Sequence, residues 1–169
     1  MLPHGGRGAL PELDGMVPVA FPHNSVVTPC EVMESKAPVL FLRKELRPDS
    51  AGAGRRRGGV GQVITLRHIG RSEMILSLIP DKVVCAPPGL AGGQPGVRGE
   101  VLLNGRRLER FPPIRFAPGD ELELRLPGAG GFGAPEERDR AAVERDIAMG
   151  YVSAEAAEAA YGSATATPR

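Results

Sequence analysis

The densest run of chemically capable residues is Gly52-Ala53-Gly54-Arg55-Arg56-Arg57-Gly58-Gly59-Val60-Gly61. Glycines let backbone amides approach an anion, and a guanidinium can grip a carboxylate or phosphate through two parallel hydrogen bonds. The run is not a Walker A loop, because no Lys-Ser or Lys-Thr follows a glycine anywhere in the chain. Without that lysine and hydroxyl, nothing here holds the β- and γ-phosphates and Mg²⁺. The run reads as a solvated Gly-rich turn, or as a loop that crosses another chain closely and anchors it by Arg–carboxylate pairs, ahead of a phosphate site. Gly128-Ala129-Gly130-Gly131-Phe132-Gly133 has the G-x-G-x-x-G spacing of a dinucleotide loop. Such a loop must open a helix at its last glycine and be followed by a parallel strand. Pro135 delays the helix and no strand follows, so a tight corner between strand and helix is the better reading.

Other reactive side chains are scattered. His4, His23 and His68 have no cysteine or carboxylate at ligand spacing, so no zinc site is implied. Cys30 follows Thr28-Pro29, and a nucleophilic thiol there would need a histidine base, with His23 near only in sequence. Glu31 and Glu34, three apart, would share a helix face and could work as acid and base or bind metal. A solvated or salt-bridged pair is the simpler reading. No serine lies in a G-x-S-x-G elbow. Residue chemistry alone therefore assembles no complete active site.

The elements that must carry these residues are short. The 169 residues include 23 glycines and 17 prolines, about twice the usual combined share. Disorder is opposed by 41% hydrophobic residues and a formal net charge of only +1. A near-neutral chain whose one basic cluster has no interleaved aromatics is not a nucleic-acid binder. No apolar run approaches the ~20 residues that cross a bilayer, so no membrane association is expected. With no secretory signal visible and two isolated cysteines, the expected location is cytoplasmic.

Residues 1–38 lack periodicity and read as irregular chain. A β-rich body should follow over 39–134, a helical pair over 135–162, and a disordered tail over 163–169. Strands are expected from Val39, over Gln62–Ile69 and Glu73–Ile79 (as a hairpin), over Glu100–Leu103 with its return after Asn104-Gly105, and over Glu121–Leu126, which alternates cleanly. Asp139 and Ser153 are expected to cap the two helices, with Gly150 and Gly162 ending them. The fold class is α+β, mainly antiparallel β with Gly/Pro-rich loops and two short C-terminal helices.

Taken together, the Gly and Pro motifs resemble the C-terminal part of the hydantoinase B / 5-oxoprolinase family. Gly5-Gly6-Arg7-Gly8-Ala9 with Asp14-Gly15 is similar to its G-G-x-G-A…D-G stretch. Asn24 to Glu34 is similar to N-x-x-x-T-P-x-E-x-x-E. Leu46 to Gly54, followed by Arg57-Gly58-Gly59-Val60-Gly61, is similar to L-R-P-D-S-G-G-A-G-x-x-R-G-G-x-G. Gly89 to Gly96 and Pro127 to Pro135 match G-L-x-G-G-x-P-G and P-G-G-G-G-Y-G-D-P, with Ala134 in place of the usual Asp and Pro88 in place of an aromatic. Arg138-Asp139, Val143, Asp146, Gly150-Tyr151-Val152-Ser153 and Tyr161-Gly162 follow in the family's order.

The resemblance implies an ATP-dependent hydrolysis that opens cyclic amides such as N-methylhydantoin or 5-oxoproline. It implies a hydantoinase A-type partner that holds ATP and Mg, and a larger N-terminal region of the B-type subunit. The isolated chain is expected to be inactive. Alternatives are a non-catalytic structural or assembly domain, or part of an ATP-dependent ketone carboxylase. The candidate residues for contact with substrate or nucleotide are Asn24, Thr28, Glu31, Arg55 and Arg57, with no metal ligand assigned.

Overall fold

A computed structural model describes residues 4–18 and 28–162. Its helices and strands are α1 (Cys30–Lys36), β1 (Val39–Arg47), β2 (Gly61–His68), β3 (Met74–Leu76), β4 (Glu100–Leu103), β5 (Arg106–Arg107), β6 (Ile114–Phe116), β7 (Glu121–Arg125), α2 (Arg140–Ala148) and α3 (Ala154–Tyr161). Five strands form one sheet in the order β1-β2-β7-β4-β5, and β3 pairs with β6 in a second. Every paired strand is antiparallel. The α+β class, mainly antiparallel with a small C-terminal helical pair, is the observed one.

The period-two pattern of β7 explains the core. Leu122 and Leu124 lie opposite Leu66 and Ile64 of β2 on one side, and opposite Leu103 and Val101 of β4 on the other. Val39 from β1 and the fully buried Phe116 from β6 complete this cluster, with Met74 and Leu76 of β3 packed against it. The other sheet face is polar and neutralises itself: Arg67 pairs with Glu121, Arg125 with Glu123 and Glu100, and Arg107 with Glu100. Exposed pairs of this kind stabilise by at most about 1 kcal/mol each, so the buried face holds the sheet. His68 belongs to that face. It is 1% exposed, accepts a hydrogen bond from the Gly70 amide at Nδ1, and meets Phe116 edge-on.

Three local expectations change. The run Glu73–Ile79 does not fold back on β2, because β1 and β7 occupy both edges of β2; β3 turns to β6 instead. The stretch 1–38 contains helix α1, with Pro29 at its N-cap position, Glu31 in the first turn and Lys36 in the last, an order that suits the helix dipole. The Asp139 side chain makes no capping hydrogen bond, whereas Ser153 accepts one from the Ala156 amide. The Asn104-Gly105 hairpin forms as expected, with positive φ at both residues.

The largest change concerns the Gly/Pro segments. They are not separate loops. Residues 5–9, 14–16, 50–61, 87–97 and 127–133 run together as a bundle of extended backbone, and segment 127–133 is its centre. Around that segment the hydrogen bonds rotate from neighbour to neighbour: Gly128 donates to Val97, Ala129 to Gly59, Gly131 to Gln94 and Phe132 to Arg56, while Gly130 accepts from Ala9. The backbones approach too closely for side chains between them. A Cβ on Gly128 would sit 1.9 Å from the Ser50 carbonyl oxygen, and one on Gly130 would sit 1.9 Å from that of Pro88. Gly128–Gly133 is therefore the central segment of the bundle, not a corner, and the chain that these glycines meet is their own.

Replacing Gly130 with alanine should destabilise the protein by ~3 kcal/mol or more, since the obstructing atoms are backbone. Gly8→Ala, where an added Cβ meets nothing within 4 Å, should change stability by less than about 0.5 kcal/mol. Urea unfolding of the two variants reads the contrast.

Candidate functional site: a buried arginine–carboxylate centre on the glycine bundle

The bundle places Arg55, Arg56 and Arg57 in three different surroundings. Arg57 is 4% exposed, and its Nε lies 3.1 Å from Asp146 Oδ2 of α2. The bond directions do not align there, so Arg57 Nε makes an ion pair without a hydrogen bond. Arg138, 7% exposed, sits just before α2 and joins two carboxylates. It donates from Nη1 and Nη2 to Asp14 Oδ1 and Oδ2 at 2.8 and 2.9 Å, and from Nη2 to Asp146 Oδ2 at 2.6 Å. Asp14 also accepts from the Arg57 amide at 2.9 Å. The Arg57 guanidinium lies 4.9 Å from the centre of the Tyr151 ring, and that of Arg138 lies 5.8 Å from Tyr161.

These residues reach the centre from four places in the chain. Asp14 comes from the N-terminal glycine segment and Arg57 from the second. Arg138 and Asp146 come from α2 and its approach, and the tyrosines from the flanks of α3. Asp49, with φ of 58°, adds a further tie by accepting from the Ser153 amide at 2.7 Å. The centre fastens the C-terminal helices onto the bundle.

Its electrostatics follow from this pairing. Burial pushes the Asp14 carboxyl upward, but hydrogen bonds and charge from Arg138, with the Arg57 amide and charge, hold it below the ordinary carboxylate value. Burial also works against the charged form of Arg138, and Asp14 and Asp146 reverse that and raise its pKa. Burial raises the Tyr161 hydroxyl, with Arg138 acting against it. Both carboxylates are already paired with guanidinium groups, which leaves few of their lone pairs for a metal ion. Among the described residues no group of three or more His, Cys, Asp or Glu is placed to hold a metal ion. The donor set here thus fits neither Mg²⁺ nor a triphosphate.

The sequence-derived candidates fall in separate places. Asn24 lies outside the described residues. Thr28 and Glu31 are exposed at and next to α1, which packs on β1. Glu34 does not pair with Glu31 across the helix face; it accepts from the Phe41 amide at 2.7 Å. Arg55 is exposed, 3.7 Å from Glu137, and donates to the Pro11 carbonyl. Arg57 is turned inward, so the arginine run is not simply a solvated loop. The expected Arg–carboxylate anchoring occurs, but within the chain. Asp14, Arg138 and Asp146 were visible only as members of family-like motifs. Arg138 and Asp14 are 124 residues apart, and no spacing rule connects them.

Residues 1–135 match the family described as Hydantoinase B/oxoprolinase. The chain belongs to this family. It is 34% identical over 136 residues to 5-oxoprolinase 1 of Arabidopsis thaliana, a match covering 77% of this chain and 11% of that protein. It is 31% identical over 146 residues to a putative B-type subunit of a D-/L-hydantoinase from Pseudomonas sp., covering 82% of this chain and 24% of that one. Two solved structures share the fold over 94% of this chain. One is a nucleotide-free acetone carboxylase (TM-score 0.77, 21% identity, 26% of that chain). The other is the ATP-dependent caprolactamase of Pseudomonas jessenii (TM-score 0.74, 25% identity, 29% of that chain). This member of the family thus spans between 11% and 29% of these four proteins, which places its fold within a larger protein context. Among the described residues no helix is long and apolar enough to cross a membrane.

Removing one partner from this centre strands the others. Asp146→Ala leaves Arg57 and Arg138 short of a counter-charge and should cost about 3–5 kcal/mol in urea unfolding. Asp14 sets a pH dependence. Its folded pKa is below its unfolded one, so its stabilisation is present above the ordinary carboxylate pKa of about 3.9. It is lost as pH falls through the lowered folded value. Stability measured from pH 5 down to pH 2 should fall less steeply in Asp14→Asn than in the native protein.

Proposed function

We propose that the chain acts as the C-terminal portion of a B-type subunit in the ATP-dependent ring opening of cyclic amides such as N-methylhydantoin or 5-oxoproline. The family match over residues 1–135 carries this reading. The 5-oxoprolinase, hydantoinase and caprolactamase names of its relatives support a cyclic amide as substrate class. An amide carbonyl is a poor electrophile. Phosphorylation of the carbonyl oxygen, or of that oxygen in the imidic tautomer, makes the ring carbon reactive and turns its oxygen into a leaving group. Water then adds to that carbon, the ring nitrogen leaves with a proton as the C–N bond opens, and the acyl phosphate so formed is hydrolysed to a carboxylate and inorganic phosphate. ATP and Mg belong to the hydantoinase A-type partner in this reading. The present chain supplies walls and subunit contacts through its exposed candidates Thr28, Glu31 and Arg55, with Asn24, while the glycine bundle and the Arg57 centre keep those walls rigid. Its location is cytoplasmic, where ATP is supplied.

A second reading, part of an ATP-dependent ketone carboxylase, draws on the fold shared with acetone carboxylase. The same carbonyl-oxygen activation would serve both chemistries. A third, that the isolated chain is a structural unit without activity, draws on the fully paired carboxylates of the buried centre.

Co-expression with a hydantoinase A-type subunit, and with the larger N-terminal region of a B-type subunit, tests these alternatives. ATP- and substrate-dependent ring opening of 5-oxoproline or N-methylhydantoin is expected only in the reconstituted assembly, and none from this chain alone. Bicarbonate-dependent consumption of acetone without ring opening would favour the carboxylase. Absence of both activities, together with failure to co-purify, overturns the catalytic readings.

A further inference from the structure

Of the three consecutive arginines, Arg55 faces Glu137 and Arg57 faces Asp146. Arg56 has no ion-pair partner among the described residues, and its Nε is shielded from water without a hydrogen-bond partner. It lies at one end of the glycine bundle. Arg56 and Phe132 exchange both main-chain hydrogen bonds, each at 2.9 Å. Leu90 is bridged to Phe132 on its other side, in parallel sense. Residues directly opposed in such a ladder project to the same face. Leu90, Phe132 and Arg56 therefore form one rung: a leucine 61% exposed, a half-buried phenyl and an uncompensated guanidinium.

We infer that this rung is the seat of an apolar segment carrying a carboxylate, supplied by the polypeptide that surrounds this unit in its longer relatives. Charge complementarity selects the carboxylate, because a guanidinium that is partly desolvated without a counter-charge is costly. The apolar shelf beside it selects a protein segment over a free acid. Arginine and aromatic side chains are enriched at protein interfaces. A second copy of this chain fits poorly, since a two-fold contact through the rung would set Arg56 against Arg56. The surrounding polypeptide is the available source. The same fold occupies only 26% and 29% of the two solved neighbours. The inference rests on family membership and on this geometry, not on the ring-opening reading.

The test uses the full 169-residue chain. The probe is the part of the Pseudomonas sp. hydantoinase relative that lies outside the match, expressed as a separate polypeptide. Calorimetry without ATP or substrate reads the binding, so loss of the ring-opening reading would leave the result standing. The native chain should bind. Arg56→Met and Leu90→Asp should each weaken binding by roughly tenfold or more, Arg56→Lys should weaken it less, and Arg106→Met on the β4–β5 hairpin should leave it unchanged. Urea midpoints of Arg56→Lys and Leu90→Asp equal to the native value show that lost binding is not lost fold. No binding by the native chain, or equal binding by Arg56→Met and Leu90→Asp, overturns the inference. Saturable binding of acetate or phosphate that Arg56→Met abolishes reassigns the rung to a small anion. A native dimer in sedimentation that Leu90→Asp dissolves reassigns it to a second copy.

Discussion

Backbone packed directly against backbone is the constraint on which this molecule depends. In an ordinary core, side chains fill the space between elements. Here the segments containing Gly128 and Gly130 come so near the carbonyls of Ser50 and Pro88 that a single added carbon would collide with them. The gain is a set of main-chain hydrogen bonds that turn from one neighbour to the next along segment 127–133. The cost is entropic, since glycine loses more freedom on folding than any other residue. The apolar cluster of the adjoining sheet, with Ile64, Leu66, Leu122, Leu124 and Phe116 at its heart, offsets that cost. The two parts are continuous: β2 begins at Gly61, where the bundle ends, and β7 runs into Pro127.

The arginine–carboxylate centre ties a third part to these two. Asp14, Arg57, Arg138 and Asp146 draw the N-terminal glycine segment and the C-terminal helices onto the bundle. A buried ion pair is seldom a large net source of stability, but breaking one is strongly unfavourable. The centre therefore acts as a latch that specifies how α2 and α3 dock. Its polar atoms are spent on that role, because each carboxylate is paired with a guanidinium.

This unit makes up only part of its relatives. The same fold recurs in a caprolactamase and in an acetone carboxylase, so the fold is not tied to one reaction. Specificity would come from what is placed against the exposed faces, where Arg55, Arg56 and Leu90 present different chemistry within a few residues of the bundle's end.

The sequence by itself determined the elements with local signatures. The alternation of Leu122, Leu124 and Leu126 with charged residues marks β7. Asn104-Gly105 marks a hairpin because both residues tolerate positive φ, and Ser153 marks a helix start because its hydroxyl can accept an amide two or three residues on. Motif order over the Gly and Pro segments was enough to place the chain in its family. Tertiary structure alone decided what those glycines are for, because close approach depends on which distant backbone lies opposite, and composition carries no such information. It also decided that three adjacent arginines have three different fates. Arg57 is buried because Asp146 meets it from 89 positions later in the chain, Arg55 reaches Glu137, and Arg56 is left with neither. Charge pairing of this kind is a long-range property, and no local pattern of residues encodes it.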